Sequence, residues 1–314
     1  MTTPQHHDCA VALCCDRNYF HLALFMIRQI AFHNPHRKFD FVIASRDELA
    51  VPDWAKPLGI LLHRSGEVPE RLEVARFGGS VAPLYRLMLA RELGDRYRRI
   101  LYMDCDMYVE GGDFNRLLEV DLGPHPIAAV LDAPFFYNQN FRAEEFARLG
   151  WPAAPYANTG LQVIDTKAYR DQEVEHRSFE AVRKHPKAIV YSDQSLTNIA
   201  LRGKFAQLAP CWNWQWSTRL PLVPMTYPVL VRHFIGPRKP DRDASGLVEA
   251  RFNQSYRDFL SQYMPELLPK LAPACDPAPL PLSLVFRTVV LHLAYRKQII
   301  ASLSRHKDPY VTIV

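Results

Sequence analysis

Residues 100–109 read ILYMDCDMYV, an apolar run that leads directly into two aspartates separated by one cysteine. A short apolar run with polar residues at its end is typical of a strand buried inside a sheet. On an extended chain, residues two apart point to the same side, so the carboxylates of Asp104 and Asp106 face one way. Such a pair can share one hard divalent cation. This stretch therefore predicts a buried strand that ends either in a cation site or in an ordinary acidic turn.

The rest of the chain alternates similar apolar runs with segments of helical spacing. The predicted strands are 9–15, 39–45, 59–63, 98–104, 126–132, 159–165 and 228–234, and the predicted helices are 19–32, 83–93, 167–184 and 193–201. This alternation predicts an α/β fold, a single Rossmann-like domain with a mainly parallel central sheet. Such sheets bind ligands at the carboxyl ends of their strands. The polar residues at these ends are Asp16, Asp104, Asp106, Asp132 and His233.

Composition divides the chain into three predicted regions. The domain covers residues 1–264, a connector with six prolines covers 265–281, and a basic helical tail covers 282–314. The formal net charge is +5, of which residues 280–314 carry +4, with five basic residues and one acidic residue. A nucleic-acid-binding protein would spread a basic stripe over its main fold, so this distribution argues against nucleic acid as a partner.

Neither the cysteines nor the apolar segments indicate a secreted or membrane-spanning chain. The six cysteines include no CxxC pair, so we expect reduced, mostly buried thiols. The N-terminus lacks the basic cluster and cleavage site of a signal peptide. The longest candidate span, residues 280–303, is interrupted by proline and basic residues. We therefore expect a cytoplasmic protein.

Seven motifs in order resemble the retaining nucleotide-sugar glycosyltransferases of family eight, which include bacterial lipopolysaccharide galactosyl- and glucosyltransferases and glycogenin. They are CCDRNY (14–19), YR (85–86), ILYMDCDMYV (100–109), LDAP (131–134), YANTGLQVID (156–165), SDQSLTN (192–198) and HFIGPRKP (233–240). The resemblance implies a nucleotide-sugar-binding domain of the GT-A type with a helical C-terminal tail, and a UDP-sugar as donor.

The resemblance also implies a metal site. In the family pattern, Asp104, Asp106 and His233 would bind Mn²⁺, with Mg²⁺ as an alternative. Two carboxylates and one imidazole are a suitable ligand set for Mn²⁺. Gly236 and Lys239 would then contact the diphosphate, through a closely approaching backbone and an ammonium group.

The loop after the first strand resembles the nucleotide-base site of the family. There, Asp16 and Asn18 would hydrogen-bond a uracil, and Tyr19 would stack on it. The alternative is that Asp16 and Asn18 cap the helix that begins near Tyr19. The two interpretations are compatible.

The remaining motifs imply a sugar site. By resemblance, the residues around the donor sugar and the acceptor are Arg86, Asn158, Thr159 and Gly160, and the catalytic residues are Asp132, Asp193 and Gln194. The alternative for Asp193 is a helix N-cap. Gln194 would lie nearest the anomeric carbon, and a neutral amide is a poor nucleophile. Front-side displacement, in which the diphosphate helps to deprotonate the acceptor, is therefore favoured over a covalent intermediate.

Together these features predict a Mn²⁺-dependent retaining transferase that moves galactose or glucose from a UDP-sugar to a glycan or lipid-linked glycan. The expected process is the synthesis of lipopolysaccharide or another surface polysaccharide. The alternative is a non-catalytic sensor or scaffold that binds nucleotide sugars. A nucleotidyltransferase would need a glycine-rich loop near the first strand, and residues 14–20 contain no glycine.

Two further segments leave alternatives open. The three tryptophans of WNWQW, Trp212, Trp214 and Trp216, could form a stacking platform for an acceptor sugar or an aromatic core. The tail 282–314 mixes apolar and basic residues, which favours docking on an anionic membrane surface at the inner face. The alternative is a helix that packs on its own domain or on a second copy of the chain, and a homo-oligomer is compatible with the sequence.

Overall fold

The computed structural model describes residues 7–69, 80–138, 140–215, 220, 222–236, 239–242, 249–271 and 282–314. The strands are β1 (Cys9–Cys14), β2 (Asp40–Ser45), β3 (Ile60–Arg64), β4 (Arg99–Met103), β5 (Met107–Val109), β6 (Ile127–Leu131), β7 (Ala157–Asp165), β8 (Ala206–Gln207) and β9 (Val231–His233). The helices are α1 (Phe20–His33), α2 (Ala82–Tyr85), α3 (Leu89–Leu93), α4 (Phe114–Leu118), α5 (Ala133–Tyr137), α6 (Glu144–Arg148), α7 (Thr166–Asp171), α8 (Val174–Lys184), α9 (Ser192–Leu201), α10 (Ala250–Tyr263), α11 (Leu282–Ala294) and α12 (Arg296–Ser304).

A central sheet of seven strands organises the fold, in the order β3-β2-β1-β4-β7-β6-β8. Four of its six neighbouring pairs are parallel. Both faces of β1 are buried, because Val11 and Leu13 pack in one apolar cluster while Ala10 and Ala12 pack in another. This alternation follows from the two-residue period of a strand. The predicted α/β fold with a mainly parallel sheet is confirmed.

The parallel pairing of β1 with β4 places two predicted motifs side by side. Leu13 pairs with Met103, so both strands end at the same edge of the sheet. Asp104 directly follows β4, and Asp16 lies two residues after the end of β1. The Cys105 thiol donates to the carbonyl of Cys14 at 3.7 Å, which joins the two loops.

Strand β7 differs from the expected parallel arrangement, since it runs antiparallel to both β4 and β6. Strand β6 ends at the edge where β4 ends, and the short helices α5 and α6 connect it to the start of β7 at that same edge. The first residues of β7 therefore lie beside the end of β4, and the Asp104 N–H donates to the Gly160 carbonyl at 2.8 Å.

The predicted strand 228–234 is shorter than expected and lies outside the central sheet. Strand β9 pairs antiparallel with β5, and this pairing places Met107 opposite His233. Since β5 begins just after Asp106, the pairing brings His233 close to the two aspartates. The Phe234 N–H donates to the Asp106 carbonyl at 3.3 Å.

Two predicted helices are interrupted. The segment 83–93 forms α2 and α3, joined by a turn in which Leu87 N–H and Met88 N–H donate to carbonyls three residues earlier. Such 3-10 turns within a helix often occur at functional sites, and Arg86 lies at this one. The segment 167–184 forms α7 and α8, because Glu173 adopts a left-handed conformation with φ +52°.

The C-terminal tail packs against the domain. Helices α11 and α12 meet at Tyr295, and Ile299 of α12 is buried against an apolar cluster that includes Phe136 of α5 and Trp214. Further on, Ile313 pairs with Gln207 of β8. Among the described residues, no helix is long and apolar enough to span a membrane.

The predicted connector only partly falls within the described residues. Its first part, Pro265–Lys270, is a 3-10 helix. Leu267 and Leu268 pack against the main core, which explains why this part is folded. Residues 272–281 lie outside the described residues.

Candidate functional site

Asp104, Asp106 and His233 converge at the edge where β4 ends. One potential ligand atom from each lies within 4.8 Å of the others. His233 Nε2 is 3.3 Å from Asp106 Oδ1 and 3.7 Å from Asp104 Oδ2. His233 is buried and the two aspartates are half-buried. The three residues could therefore hold one divalent cation.

The surroundings of this cluster fit a cation. Asp106 Oδ1 is buried and has no hydrogen-bond partner among the described residues. Burial would raise the pKa of Asp106, but the neighbouring Lys239 and His233 hold it well below its usual range. The carboxylate is thus ionised at neutral pH. A side chain at Gly160 would fill the space beside the cluster, since its Cβ would lie 2.4 Å from His233 Cε1.

Arg86 links this cluster to Asp193. Its guanidinium is buried, lies 2.7 Å from Asp104 Oδ1 and 3.1 Å from Asp193 Oδ2, and stacks over the Tyr102 ring at 4.4 Å. The single positive charge of Arg86 thus pairs with two carboxylates from different elements. Sequence reasoning predicted these residues near one another, and the structure brings them into direct contact.

Asp193 and Gln194 lie at the start of α9 and contact the start of β7. The Thr159 hydroxyl donates to Asp193 Oδ2 at 3.0 Å, and the Thr159 N–H donates to Gln194 Oε1 at 3.3 Å. Burial raises the pKa of Asp193 to about 6, although Arg86 opposes this shift. The Asp193 side chain therefore contacts residues of other elements across the site. A helix N-cap would instead accept hydrogen bonds from the first N–H groups of α9, and α9 has no side-chain cap.

Asp132 and Asn158 form the far side of the site. Asn158 Nδ2 donates to Asp132 Oδ1 at 3.0 Å, and the Gln194 amide also bonds to the Asp132 carboxylate. Burial raises the pKa of Asp132 above its usual value. The motifs LDAP, YANTGLQVID and SDQSLTN therefore meet here as one hydrogen-bonded group.

The predicted base site lies at the end of β1. Asp16 Oδ1 accepts the N–H groups of Asn18 and Tyr19 at 3.0 and 3.1 Å, and Asp16 Oδ2 accepts the Ser80 hydroxyl at 3.1 Å. These bonds close a turn just before α1, and α1 has no side-chain cap, so the structure does not bear out the capping alternative. Asn18 is exposed and makes no side-chain hydrogen bond among those assigned in the described part of the chain. The Tyr19 hydroxyl accepts a hydrogen bond from Arg242 Nη2 at 3.2 Å.

Of the two residues predicted to bind the diphosphate, Lys239 is engaged with the cluster. Its Nζ donates to Asp106 Oδ2 and to the Phe234 carbonyl. Gly236 has φ +77°, a left-handed conformation that favours glycine. Within the described part of the chain, no atom lies within 4 Å of the position of its missing Cβ.

Sequence reasoning missed three polar residues that support the site. Asn213 is fully buried between His233 and Asn158. Glu145, also fully buried, accepts hydrogen bonds from the hydroxyls of Tyr156 and Ser195. Ser195 in turn holds the turn before α9, because its Oγ accepts the Tyr191 N–H at 2.7 Å. Asn213 and Ser195 lie inside the quoted segments WNWQW and SDQSLTN, whereas Glu145 lies in none of the quoted motifs.

The tryptophans of WNWQW separate into two groups. Trp212 and Trp214 are fully buried and belong to the aromatic core, in contact with Phe114 and Phe136 respectively. Burial excludes them as a stacking platform for a sugar. Trp216 lies outside the described residues.

The chain is similar in sequence to several known proteins and similar in fold to a solved glycosyltransferase structure. General stress protein A of Bacillus subtilis (strain 168) is 29% identical over 199 residues, which cover 58% of this chain and 64% of that protein, less than two thirds of its length. Lipopolysaccharide 1,2-glucosyltransferase of Escherichia coli (strain K12) is 24% identical over 248 residues, covering 73% of this chain and 72% of that protein. The solved structure of galactosyltransferase LgtC, in complex with donor and acceptor sugar analogues, matches the fold with a TM-score of 0.67. It is 18% identical, and the match covers 83% of this chain and 100% of that chain.

The match to a family model covers most of the chain. The model described as glycosyl transferase family 8 matches residues 10–244. All seven motifs that carry the resemblance fall within this range, and the structure gathers residues from all of them at one edge of the sheet. The resemblance is thereby confirmed, and the chain belongs to glycosyl transferase family 8.

Proposed function

We propose that this glycosyltransferase moves galactose or glucose from a UDP-sugar to a hydroxyl of a glycan or lipid-linked glycan, with retention of anomeric configuration. The observation that carries the proposal is that Arg86 connects the Asp104–Asp106–His233 cluster directly to Asp193. A site for a diphosphate and a site for a sugar are thus adjacent. One relative is a lipopolysaccharide glucosyltransferase, which supports a role in the synthesis of lipopolysaccharide or another surface polysaccharide.

The diphosphate would bind at the cation cluster. When bound there, Mn²⁺ or Mg²⁺ would neutralise the diphosphate charge and so favour its departure. Lys239 contacts Asp106 in this structure, and it would exchange this contact for a phosphate oxygen. The uracil would lie against Asp16, Asn18 and Tyr19 at the end of β1, next to the cluster.

The sugar would lie between Asp193 and Asp132, whose carboxylates would accept hydrogen bonds from its hydroxyls. Thr159 and Asn158 hold these two carboxylates in place. The small residue Gly160 leaves room between the sugar and the cation.

These contacts favour front-side displacement. The Arg86 guanidinium and the Thr159 hydroxyl both contact Asp193 Oδ2, and the positive charge of Arg86 makes that carboxylate a weaker nucleophile. Gln194 carries a neutral amide, which is a poor nucleophile. The acceptor oxygen would therefore form the new bond to the anomeric carbon as the bond to the diphosphate breaks. The acceptor proton would pass to a phosphate oxygen of the departing UDP.

Purified protein tests this function. With Mn²⁺ we expect UDP release from UDP-galactose or UDP-glucose, and we expect chelation of the metal to stop it. Asp104→Asn and Asp106→Asn should abolish UDP release, because each removes a charged ligand from the cluster. The matched control is Asp171→Asn, at an exposed carboxylate that pairs with Lys167 in its own helix.

Two outcomes would contradict the proposal. Full activity of both variants after chelation would exclude the metal site. Tight UDP binding without transfer or hydrolysis across a panel of donors would favour a sensor or scaffold instead.

We also propose that helix α11 rests on the anionic inner face of a membrane, where a lipid-linked acceptor would be found. Phe286 and Leu293 of α11 are 71% and 67% exposed, an unusual position for such side chains. Arg287 directly follows Phe286 in sequence, and Arg296 and Lys297 follow at the start of α12. Apolar side chains next to basic ones suit a surface of anionic lipid headgroups.

A further inference from the structure

Asn213 is completely buried between the cation cluster and the sugar site. Its Oδ1 is 3.0 Å from His233 Nδ1, and its Nδ2 donates to Asn158 Oδ1 at 2.8 Å. Asn158 bonds to Asp132 through its other amide atom. A continuous chain of hydrogen bonds therefore runs from His233 through two amides to Asp132.

Backbone geometry fixes the direction of this chain. The Gly160 N–H, which can only donate, points to Asn158 Oδ1 at 3.1 Å. Asn158 must then present its oxygen to Asn213 and its NH₂ group to Asp132. Since Asn158 offers an acceptor, Asn213 must donate to it through Nδ2 and turn its own oxygen toward His233. His233 Nδ1 must therefore carry a proton.

We propose that Asn213 is a positioning residue that holds His233 as the Nδ1–H tautomer and aims the Nε2 lone pair at the cation site. The proposal rests on the proposed function, because it needs His233 as a metal ligand. His233 Nε2 is the ring atom that faces Asp104 and Asp106. A histidine that binds a metal commonly donates its other N–H to a fixed acceptor, which sets the orientation of the ring.

The segment around Asn213 is rigid enough for this role. Trp212 and Trp214 on either side are fully buried. The Trp214 N–H donates to the Val231 carbonyl at 2.9 Å, and the His233 N–H donates to the Trp214 carbonyl at 3.0 Å. The backbones of Asn213 and His233 are thus held in register, and they cannot separate without breaking these hydrogen bonds.

Two substitutions separate the role of the oxygen from that of the NH₂ group. Asn213→Leu keeps the approximate volume but removes the acceptor, and we expect Mn²⁺ affinity to fall by about 10- to 100-fold. Asn213→Asp keeps an oxygen for His233 Nδ1, so its Mn²⁺ affinity should stay much closer to that of the wild type. Free Mn²⁺ measured by electron paramagnetic resonance, with UDP present, gives these affinities without turnover.

The matched control is Asn34→Leu, which removes another buried amide whose assigned partners are backbone groups of Ile30, Gly112 and Phe114. It should lower the melting temperature but leave Mn²⁺ affinity unchanged. Wild-type Mn²⁺ affinity in folded Asn213→Leu would overturn the inference, and so would an equal loss in Asn34→Leu. No Mn²⁺ binding by the wild type would instead refute the proposed metal site.

A second measurement keeps the inference testable if Asn213→Leu does not fold. Nuclear magnetic resonance spectra are recorded for wild-type protein that carries ¹⁵N-labelled histidine, in the presence of Mg²⁺ and UDP. The His233 signal is identified as the one that is absent from the spectrum of His233→Gln. We expect a protonated Nδ1 and an unprotonated Nε2. A proton on Nε2 with a bare Nδ1 would reverse the hydrogen-bond chain and overturn the assignment.

Discussion

Gly160 lies where the smallest side chain would enter the cation cluster. An alanine Cβ would be 2.4 Å from His233 Cε1 and 2.9 Å from Asp104 Oδ2. Neither neighbour can easily yield, because Asn213 holds the imidazole and Arg86 holds the carboxylate. We expect Gly160→Ala to weaken Mn²⁺ binding by about tenfold or more, and UDP release to fall with it.

The matched control for this prediction is Gly111→Ala. Among the described residues, its Cβ would meet just Leu230 Cδ2, at an ordinary 3.9 Å. Titration with Mn²⁺ gives the metal affinity of both variants, and we expect Gly111→Ala to bind Mn²⁺ as the wild type does. Wild-type affinity in Gly160→Ala would mean that the cluster expands to accept the methyl group, which would contradict the tight geometry described above.

Asp193 gives a prediction of pH dependence. Burial raises its pKa from 3.8 to about 6, so between these values the folded protein keeps a proton that the unfolded chain releases. Stability therefore falls as pH rises through this window, and above it the ionised Asp193 costs on the order of 3 kcal/mol. Asp193→Asn removes the ionisation, so its free energy of unfolding should exceed that of the wild type at pH 7.5.

Urea unfolding of metal-free protein at several pH values tests this sign. The free energy of unfolding of Asp193→Asn should be nearly equal to that of the wild type at pH 4. Its excess over the wild-type value should reach a maximum above pH 6.5. Asp171→Asn, at an exposed position, should show no such increase. A variant that is less stable than the wild type at pH 7.5 would show that the ion pair with Arg86 outweighs the cost of burial.

At the level of elements, the sequence predicted best what depends on apolar periodicity. Strands β1 and β4 were recognisable because nearly all their side chains are buried. The direction of β7 could not be predicted, because a strand buried on both faces has the same sequence pattern in parallel and antiparallel pairs. The turn at Arg86 was also missed, because α2 and α3 share an uninterrupted helical pattern.

The site residues divide in the same way. Those carried by the family motifs were predicted and lie together, because strand ends and the β5–β9 pair bring distant motifs to one edge. Asn213 and Glu145 were not assigned a role, since a buried amide or carboxylate has no periodic signal. Their importance follows only from the partners that folding gives them.

Helix α11 carries the prediction on membrane association. Phe286→Asp together with Leu293→Asp places two charges on exposed positions, so the fold and UDP release should not change. Binding to vesicles of phosphatidylcholine with phosphatidylglycerol should fall by at least about tenfold, because two apolar contacts with the lipid are lost. Sedimentation with the vesicles gives this quantity.

The control is Val311→Asp, which adds a charge at a position that is 60% exposed and outside α11. Its vesicle binding should equal that of the wild type. If the α11 variant sediments as well as the wild type does, the exposed face of α11 has another partner, such as a second copy of the chain.

For the molecule as a whole, the tail is part of the folded domain. Pro309 O accepts the Trp212 indole N–H at 2.8 Å, and the Tyr310 hydroxyl accepts the Asp113 N–H at 2.8 Å. Ile313 exchanges two backbone hydrogen bonds with Gln207 of β8, at 2.8 and 3.0 Å. Removing the whole tail would therefore disturb the sheet edge as well as any membrane contact.

Deletion of residues 308–314 tests this integration. Trp212 is fully buried and packs against Tyr310, with ring centroids 5.4 Å apart, so the deletion uncovers an aromatic surface and leaves the indole N–H without its acceptor. Loss of one aromatic contact and several hydrogen bonds should lower the free energy of unfolding by about 2–4 kcal/mol. Denaturant unfolding followed by tryptophan fluorescence measures this, with Val311→Ala as the control at an exposed position. An unchanged midpoint would mean that these residues rest on the domain without stabilising it.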